Sequence, residues 1–533
     1  MTTTGVSSTP SRSRLERALA GVLAGAAGLA VSLAVTSLLR LRLTPPNAVA
    51  EAVIEITPGK VALELVHLLG RWDKPLLLAG VLVALVVLSA VAGLLTARSR
   101  WLGPALFLLM AVLAGTAALT RPGAASTDVV PVMAGFVTWV GVLTFLTAPL
   151  TTPPTASSDG PRSRRRGQSD EAVLDGRGEA PGDGTRRTFL VRAGVVAIGS
   201  LVVGLGGSLL GRKRREVEAA RERLDLPVDR GTVPAGAQLD GLEPWRTPNP
   251  EFYRIDTAVV VPAIDVDEWR LRIHGMVERE ITVSFQDLLD RQLTEAWVTL
   301  CCVSNPVGGD LVGNAWWSGV RIADLLAEAG PLPGADAVLQ SSEDGWTCGT
   351  PLGALTDDRN ALLAIAMNGA PLPLEHGFPV RMVVPGLYGY VSATQWVVDP
   401  EVSRFDQIDA FWTTRGWSEQ GPVRTQSRID VPRDNHRVMA GDVRVGGVAW
   451  SQHTGIDQVQ VRVDGGPWTE MELGTVPSDD TWVQWAGTVQ AEAGVHTLAV
   501  RATDRSGYEQ TGVQRDVVPD GATGWHTIEF TAE

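Results

Sequence analysis

Cysteine and histidine are scarce in this sequence of 533 residues. It contains three Cys (Cys301, Cys302 and Cys348) and seven His, of which only His67 lies in the first 215 residues. So few Cys exclude a disulfide-rich fold, and the absence of a Cys-x-x-Cys pair argues against zinc. A bis-His haem needs two imidazoles, and the first 215 residues supply only that of His67. No Cys-x-x-Cys-His sequence is present anywhere in the chain. We therefore expect no haem in this chain.

Negative charge outnumbers positive charge in the second part of the chain. Residues 1–215 hold 23 of the 46 Lys and Arg but only 12 of the 59 Asp and Glu, so residues 216–533 are strongly acidic. An acidic region of this size repels phosphates, which excludes nucleic-acid binding. It favours a basic protein partner, which the acidic surface would attract over a distance. The 17 Trp exclude wholesale disorder.

Charge of either sign is absent from five long apolar stretches. They cover residues 18–39, 75–97, 101–120, 129–150 and 193–211. Each approaches the length of about 20 residues that a helix needs to cross a bilayer. Five such runs are hard to place as core helices of a soluble fold, so we predict four transmembrane helices in 1–150 and a fifth in 185–211. Arg residues precede the first span, lie between the second and third, and follow the fourth. If the four helices alternate in direction, all three groups lie on one side of the membrane, and we assign that side to the cytoplasm.

The segment between the fourth and fifth spans differs in composition. Residues 151–184 are rich in Pro, Ser, Gly and charge, which predicts a disordered cytoplasmic linker. The sequence Thr185-Arg186-Arg187-Thr188-Phe189-Leu190 resembles the twin-arginine export signal, and a plain basic flank is the alternative. That resemblance implies export of a protein folded around a cofactor. We predict a multi-pass cell-membrane protein with a retained anchor, a stalk over 212–240 and the remainder outside the cytoplasm.

Short strands and helices are predicted from about residue 241 onwards. Strands are expected at 259–262, 269–273 and 380–384, and helices at 285–293 and 322–329. From residue 426 the pattern is all β, with short strands separated by turns, as in a sandwich of about 100 residues. We predict an α+β catalytic domain over 241–425 and an all-β sandwich over 426–533.

The chemistry centres on a vicinal pair, Cys301-Cys302, within Thr299-Leu300-Cys301-Cys302-Val303-Ser304-Asn305. Three roles suit such a pair: a strained disulfide, two inert core thiols, or one metal-binding thiolate beside a spectator. The residues of the pair do not by themselves choose among them.

The neighbouring motifs resemble the sulfite oxidase family of molybdopterin enzymes, in which Thr-Leu-x-Cys-x-x-Asn is followed by Trp-x-Gly. The matching residues, in order along the chain, are 252–254, 271–275, 302–305, 317–320, 367–373, 376–381, 384–386, 447–450 and 501–504. The resemblance covers about 240–533. It implies a sulfite-oxidase-like α+β molybdopterin domain and an immunoglobulin-like C-terminal domain of the type that dimerises.

The resemblance also implies roles for individual residues. Cys302 matches the thiolate ligand of molybdenum, which leaves Cys301 a spectator and Cys348 structural. His376 and Arg381 match residues that hold the pterin, and a planar guanidinium suits its phosphate because it donates two parallel hydrogen bonds. The other positions that match cofactor-binding residues are Phe252, Tyr253, Arg254, Asn305, Ser392, Ala393, Thr394 and Gln395.

The expected substrate pocket departs from the family. Arg254 matches one of the arginines that bind sulfite, but a second falls on Pro306 or Val307. A family His is replaced by Asp256, and the active-site Tyr aligns loosely with Trp346. We name Cys302, Arg254, Asp256 and Trp346 as candidate catalytic residues. This pocket has fewer cations and an added carboxylate. A neutral S-oxide or N-oxide, which would be reduced, therefore fits it as well as sulfite does.

The resemblance implies oxygen-atom transfer with a small oxyanion or oxide substrate. The electrons would pass to or from an external carrier, such as a cytochrome c or a membrane quinone system. A non-catalytic cell-surface binding protein, with a structural Cys pair, is the distant alternative. Whether the sandwich forms a homodimer is left open.

Overall fold

The computed structural model describes residues 10–151, 183–206 and 210–533, without 40, 42, 59, 60, 62–64, 66, 67, 70, 71, 122 and 123. They divide into a helical unit (Met1–Ile56 with Leu68–Arg212) and a β-rich unit (Thr57–His67 with Lys213–Glu533). Most of the predicted linker, the side chains of Arg186 and Arg187, and His67 lie outside the described residues.

The helical unit contains six helices within the described part of the chain. They are α1 (Pro10–Leu38), α2 (Pro45–Ile56), α3 (Asp73–Leu95), α4 (Leu102–Thr120), α5 (Val130–Thr151) and α6 (Asp183–Gly206). Four stretches are long and apolar enough to cross a membrane: Arg14–Leu38, Asp73–Leu95, Leu102–Thr120 and Ser126–Ala148. They coincide with the four spans expected in 1–150. In α6 the described residues give the shorter apolar stretch Thr188–Ser200, so the fifth span stays a prediction.

Small residues let the helices of this unit approach closely. A Cβ atom on Gly21 of α1 would lie 2.0 Å from the Ser89 carbonyl oxygen of α3, and one on Gly93 would lie 2.0 Å from the Arg17 carbonyl oxygen. The Trp139 indole of α5 donates to the carbonyl of Gly25 at 3.1 Å. Close backbone approach and interhelical hydrogen bonds are how apolar helices associate without a hydrophobic driving force.

The β-rich unit begins in α7 (Leu210–Arg223) and contains two sheets before residue 404. One has the order β2-β1-β10-β5-β6, formed by Ile281–Ser284, Arg270–Gly275, Val397–Ser403, Ala337–Ser342 and Thr347–Pro351. The other has the order β3-β4-β7-β8, formed by Thr294–Cys301, Val312–Arg321, Leu362–Met367 and Ala370–Pro371, and β9 (Arg381–Val383) also pairs with β7. The helices are α8 (Phe285–Leu289), α9 (Ile322–Ala329), α10 (Leu352–Thr356) and α11 (Gly389–Ser392).

Residues after 425 form two further sheets. One has the order β11-β13-β17-β16, with bounds Gln426–Val431, Gly441–Trp450, Val483–Ala491 and Glu472–Leu473. The other has the order β12-β19-β18-β14-β15, with bounds His436–Val438, His526–Ala532, Gly494–Asp504, Ile456–Val463 and Thr469–Glu470. Side chains of both sheets share one buried apolar cluster, which includes Val445, Val461, Trp485, Val500 and Phe530. The C-terminal region is therefore all β, as predicted.

Most strands and helices predicted in the second part of the chain are present. The strands at 269–273 and 380–384 are confirmed as β1 and β9, and the helix at 322–329 as α9. The predicted helix at 285–293 ends at Leu289. The predicted strand at 259–262 is wrong: these residues pair with no strand in the described chain, and Pro262 has no N–H to donate to a ladder.

The segment predicted as a stalk is part of the folded unit. Val217 and Ala237 are buried, and the carbonyl of Gly236 accepts a hydrogen bond from the backbone of Thr475 at 3.0 Å. The boundary of the β-rich unit therefore lies at Lys213 and not near 241. Trp245 of the predicted catalytic domain lies in the same buried cluster as Trp450 and Trp482 of the predicted sandwich. The two predicted domains therefore share a core at this contact.

Candidate active site

The Cys pair lies where strand β3 ends. Cys301 is the last residue of β3 and pairs with Val312 of β4. The backbone then turns: the N–H of Cys302 donates to the Leu311 carbonyl at 2.9 Å, and the N–H of Asn305 donates to the Cys302 carbonyl at 3.1 Å. The Asn305 side-chain oxygen accepts from the Leu311 N–H at 2.9 Å. We call residues 302–311 the cysteine loop, and Asn305 fixes its shape.

The two thiols have different surroundings. Cys301 belongs to the apolar core cluster that contains Trp450, whereas the sulfur of Cys302 lies 3.0 Å from the Ser304 hydroxyl. All three Cys are free. Burial raises the pKa of both thiols in the pair, and for Cys302 hydrogen bonds from Ser304 act in the opposite direction. The two sulfurs therefore differ in their polar neighbours: Cys302 lies beside the Ser304 hydroxyl, whereas Cys301 has Trp450 and Asn305 nearby.

Aromatic rings connect the cysteine loop to the segment around His376. The Phe252 ring meets Trp317 and His376 edge-on, with centroid distances of 5.7 Å in both cases, and stacks on Tyr253 at 5.3 Å. Burial raises the pKa of Tyr253, and the nearby Cys302 adds to this effect. Residues far apart in sequence thus form one site.

Arg381, on strand β9, is a buried cation without an anion. Its guanidinium lies 5.1 Å from the Trp317 ring centre and donates to the carbonyls of His376 at 3.2 Å and Ala393 at 3.3 Å. The side chain is 4 % exposed, and within the described residues no carboxylate pairs with it. Burial lowers its pKa to about 10. A buried cation with only neutral partners is a binding site for an anion such as a phosphate.

His376 and the loop after α11 hold further unsatisfied polar atoms. The Nε2 atom of His376 lies 3.0 Å from the Asn249 carbonyl, so Nε2 carries the proton and Nδ1 is an acceptor. Burial, with Arg381 nearby, lowers the pKa of His376 to about 4, which keeps the ring neutral. His376 Nδ1, Thr394 Oγ1 and Gln395 Oε1 are buried without a hydrogen-bond partner. Such atoms are rare in folded proteins, and a pterin with polar edges and a phosphate would satisfy them.

The loop that carries these atoms is itself firmly held. The Ser392 hydroxyl donates to the carbonyls of Leu387 and Tyr388, both at 3.0 Å. The N–H of Met382 donates to the Thr394 carbonyl at 2.8 Å. The predicted cofactor loop 392–395 is therefore fixed against strand β9, beside Arg381.

Arg254 and Asp256 form an ion pair, with Nε and Oδ2 at 2.5 Å. The Asp256 side chain is buried, whereas that of Arg254 is one-third exposed. Glu375, next to His376, contributes a second carboxylate near Arg254. Burial alone would raise the pKa of Glu375, but hydrogen bonds from its backbone and from Arg214, together with the charges of Arg214 and Arg254, lower it. The carboxylates of Asp256 and Glu375 thus largely neutralise the positive charge of Arg254.

Trp346 makes no hydrogen bond or ring contact with another predicted site residue in the described part of the chain. It lies in the turn between β5 and β6, where its backbone N–H donates to the Asp344 carboxylate at 3.2 Å. No contact of Trp346 among the described residues joins it to Cys302 or Arg254. Tyr253, directly before Arg254 in the sequence, is the tyrosine whose pKa burial and the nearby Cys302 raise. Trp317 contacts Phe252 and Arg381, although its Trp-x-Gly motif alone assigned it no role in the site.

The β-sandwich braces the cysteine loop. Arg428 donates to the Gly309 carbonyl at 3.0 Å. Gly308 has a φ of 76°, and a Cβ atom on it would lie 2.2 Å from Cδ2 of His526. The loop therefore has no room for a side chain there. The bracing residues lie more than 100 positions further along the chain, and no local pattern points to them.

Comparison with known proteins defines the class. Residues 258–412 match the family model described as the oxidoreductase molybdopterin binding domain, so the chain is a molybdopterin-dependent oxidoreductase. It is 30 % identical over 312 residues to sulfite oxidase of Gallus gallus, covering 50 % of this chain and 68 % of that protein. The chain therefore belongs to the sulfite oxidase family. The predicted enzyme class and the molybdenum–molybdopterin cofactor are confirmed.

Two further relatives show how far the similarity extends. Mitochondrial sulfite oxidase of Homo sapiens is 33 % identical over 265 residues, which cover 42 % of this chain and 48 % of that protein. The match thus spans about half the length of the human protein. The oxidoreductase YuiH of Bacillus subtilis (strain 168) is 34 % identical over 157 residues, covering 30 % of this chain and 76 % of that protein.

Proposed function

We propose that this chain is a membrane-anchored oxidoreductase that transfers an oxygen atom at molybdenum ligated by Cys302. The observation that carries the proposal is the buried Arg381 without a carboxylate partner, among the unsatisfied polar atoms of His376, Thr394 and Gln395. The bound cofactor supplies two-electron oxygen-atom transfer, and the protein supplies ligand, orientation and charge.

Each residue of the site has a task in this proposal. Cys302 supplies the thiolate, and because burial raises its pKa, the metal must replace the thiol proton. Ser304 orients the sulfur through its hydroxyl. Arg381 and His376 hold the phosphate and a polar edge of the pterin. Loop 392–395 contributes its backbone and the side chains of Thr394 and Gln395. Cys301 stays a core thiol.

The cellular arrangement is a proposal of the same kind. The four candidate spans support a multi-pass membrane protein. We infer a cytoplasmic linker over 151–184, a twin-arginine-like signal with a fifth transmembrane helix over 185–211, and a catalytic domain outside the cytoplasm. Residues 426–533 would form an immunoglobulin-like sandwich of the dimerising type. The acidic charge of residues 216–533 supports a basic electron carrier such as a cytochrome c, with a membrane quinone system as the alternative.

A second candidate function rests on the pairing of Arg254 with Asp256. An arginine held at 2.5 Å by a carboxylate offers little net charge to a dianion such as sulfite. A neutral S-oxide or N-oxide does not need that charge. Reduction of such an oxide is therefore the alternative to sulfite oxidation on the same fold.

The full-length chain, purified in detergent from a host that makes the cofactor, tests the proposal. We expect about one molybdenum and one pterin per chain, together with turnover of either sulfite or dimethyl sulfoxide. Metal analysis, pterin fluorescence after denaturation and assays in both directions are the measurements. A folded protein without stoichiometric molybdenum would show that the proposed function is wrong and would favour a non-catalytic binding protein.

Replacing Asp256 by Asn frees Arg254 while preserving the shape of the side chain. The released guanidinium should lower the KM for sulfite about tenfold, equivalent to about 1.4 kcal/mol, and leave the KM for dimethyl sulfoxide unchanged. Asp406→Asn is the matched control, since Asp406 pairs with Arg404 at the same spacing on an exposed surface. An unchanged KM for sulfite in Asp256→Asn would mean that this ion pair does not control the substrate.

A further inference from the structure

Helix α7 presents three side chains on one face to the segment before His376. Arg214, Val217 and Arg221 are spaced i, i+3 and i+7, which places them on the same side of a helix. Val217 is buried in an apolar cluster that also contains Phe252, Leu374 and Phe378. Most other residues of α7 beyond 213 are exposed or half-buried. The helix is thus attached along one edge, beside the ring that contacts His376.

Two arginines of α7 hold the two ends of the segment 371–375. Arg214 pairs with the Glu375 carboxylate at 2.5 Å. Arg221 donates to the Pro371 carbonyl at 3.2 Å. The end of this segment lies in a single 3-10 turn, Leu374–His376. A turn of this kind has poor internal hydrogen-bond geometry and depends on external contacts for its position.

The arginines also balance charge next to His376. Glu375 is flanked by Arg214 and, more weakly, by Arg254. Without Arg214, the carboxylate would have Arg254 as its remaining cationic neighbour and would move the turn towards it. The unsatisfied Nδ1 of His376 would then no longer point where the Asn249 carbonyl and the Phe252 ring place it.

We propose that α7 is a positioning element of the cofactor site, which acts through segment 371–375 on His376. This inference rests on the proposed function, since it assigns His376 to the cofactor. It gives the charged segment after the predicted anchor a role in retaining the cofactor. Arg214 and Arg221 are positioning residues and do not themselves contact the cofactor.

Neutralising Arg214 in the full-length protein tests this inference. We expect Arg214→Gln and Arg221→Gln to lose molybdenum and pterin on dialysis at least about tenfold faster than the wild type, as for groups that orient a metal ligand. Arg215→Gln is the matched control, because Arg215 is the exposed neighbour on the same helix. It should retain the cofactor like the wild type. Arg214→Lys, which keeps the charge, should restore most of the retention.

A second measurement separates positioning from general stability. The melting temperature of each variant is compared with and without the cofactor, the latter from a host that cannot make it. Positioning predicts that Arg214→Gln lowers the melting temperature of the loaded protein and leaves that of the cofactor-free protein nearly unchanged. An equal loss in both states, or wild-type retention in Arg214→Gln, overturns the inference. Wild-type protein without molybdenum would instead overturn the proposed function.

Discussion

Replacing Cys302 by Ser is expected to lower turnover at least about 100-fold, beyond the usual effect of a group that only orients a ligand. The reason is that a hydroxyl in this buried position does not ionise and cannot replace a soft thiolate. The Ser304 hydroxyl, 3.0 Å from the Cys302 sulfur, offers no substitute ligand of that kind. Metal analysis and turnover of the full-length variant are the measurements.

Cys301→Ser is the matched control for this prediction. Cys301 has the same chemistry one position earlier, but it lies in the core cluster with Trp450. We expect Cys301→Ser to keep its molybdenum and most of its turnover, with a modest loss of stability from a buried hydroxyl, about 1–3 kcal/mol. If Cys301→Ser loses turnover and Cys302→Ser keeps it, the assignment of the ligand is reversed.

Replacing Arg381 by Met weakens cofactor binding at least about tenfold and does not destabilise the cofactor-free protein. A charge-assisted hydrogen bond contributes about 1.5–3 kcal/mol, so losing a phosphate partner has an effect of this size. In the cofactor-free protein, however, Arg381 is a buried cation whose hydrogen bonds go to carbonyl groups. Its removal relieves an uncompensated charge. Pterin content and denaturant unfolding of the cofactor-free chain are measured side by side.

Arg359→Met is the control, and its expected effects on cofactor content and on the stability of the cofactor-free protein are the reverse of those of Arg381→Met. Arg359 pairs with Asp357 at 2.8 Å and donates to the Pro385 carbonyl. Its loss leaves a carboxylate unpaired, so the cofactor-free protein should become less stable while cofactor content is retained. The role assigned to Arg381 would be contradicted by a cofactor-free Arg381→Met protein that is clearly less stable than the wild type.

Arg254 matches the family pattern in the sequence, but its neighbours in the structure change the charge that it can offer to a substrate. The sequence places one expected sulfite-binding arginine in the chain and replaces a nearby His by Asp256. Only the structure shows that Asp256 pairs with Arg254 at 2.5 Å and that Glu375 lies close enough to influence it. The substrate preference therefore depends on how much charge remains available at Arg254, which composition does not reveal.

Much of the fold could be predicted because its signals are local. Uncharged runs of about 20 residues mark the four candidate spans, and alternating apolar residues between turns mark β13, β14, β17 and β18. Val259–Pro262 shows the limit of this approach, since apolar β-branched residues predict a strand but pairing decides it. The segment 213–240 shows the same limit: its charge predicts a stalk, yet Val217 and Ala237 are buried by residues far along the chain.

The sequence by itself determined the family, the cofactor and the residue expected to bind the metal, because these depend on residue types in a fixed order. Tertiary structure decided which of two adjacent thiols lies beside the Ser304 hydroxyl and which arginine is buried without an anion. It also decided that Arg214 pairs with Glu375 and that Arg428 donates to the Gly309 carbonyl, both from distant segments. These properties depend on desolvation and on contacts between residues remote in sequence, and neither is encoded in a local pattern.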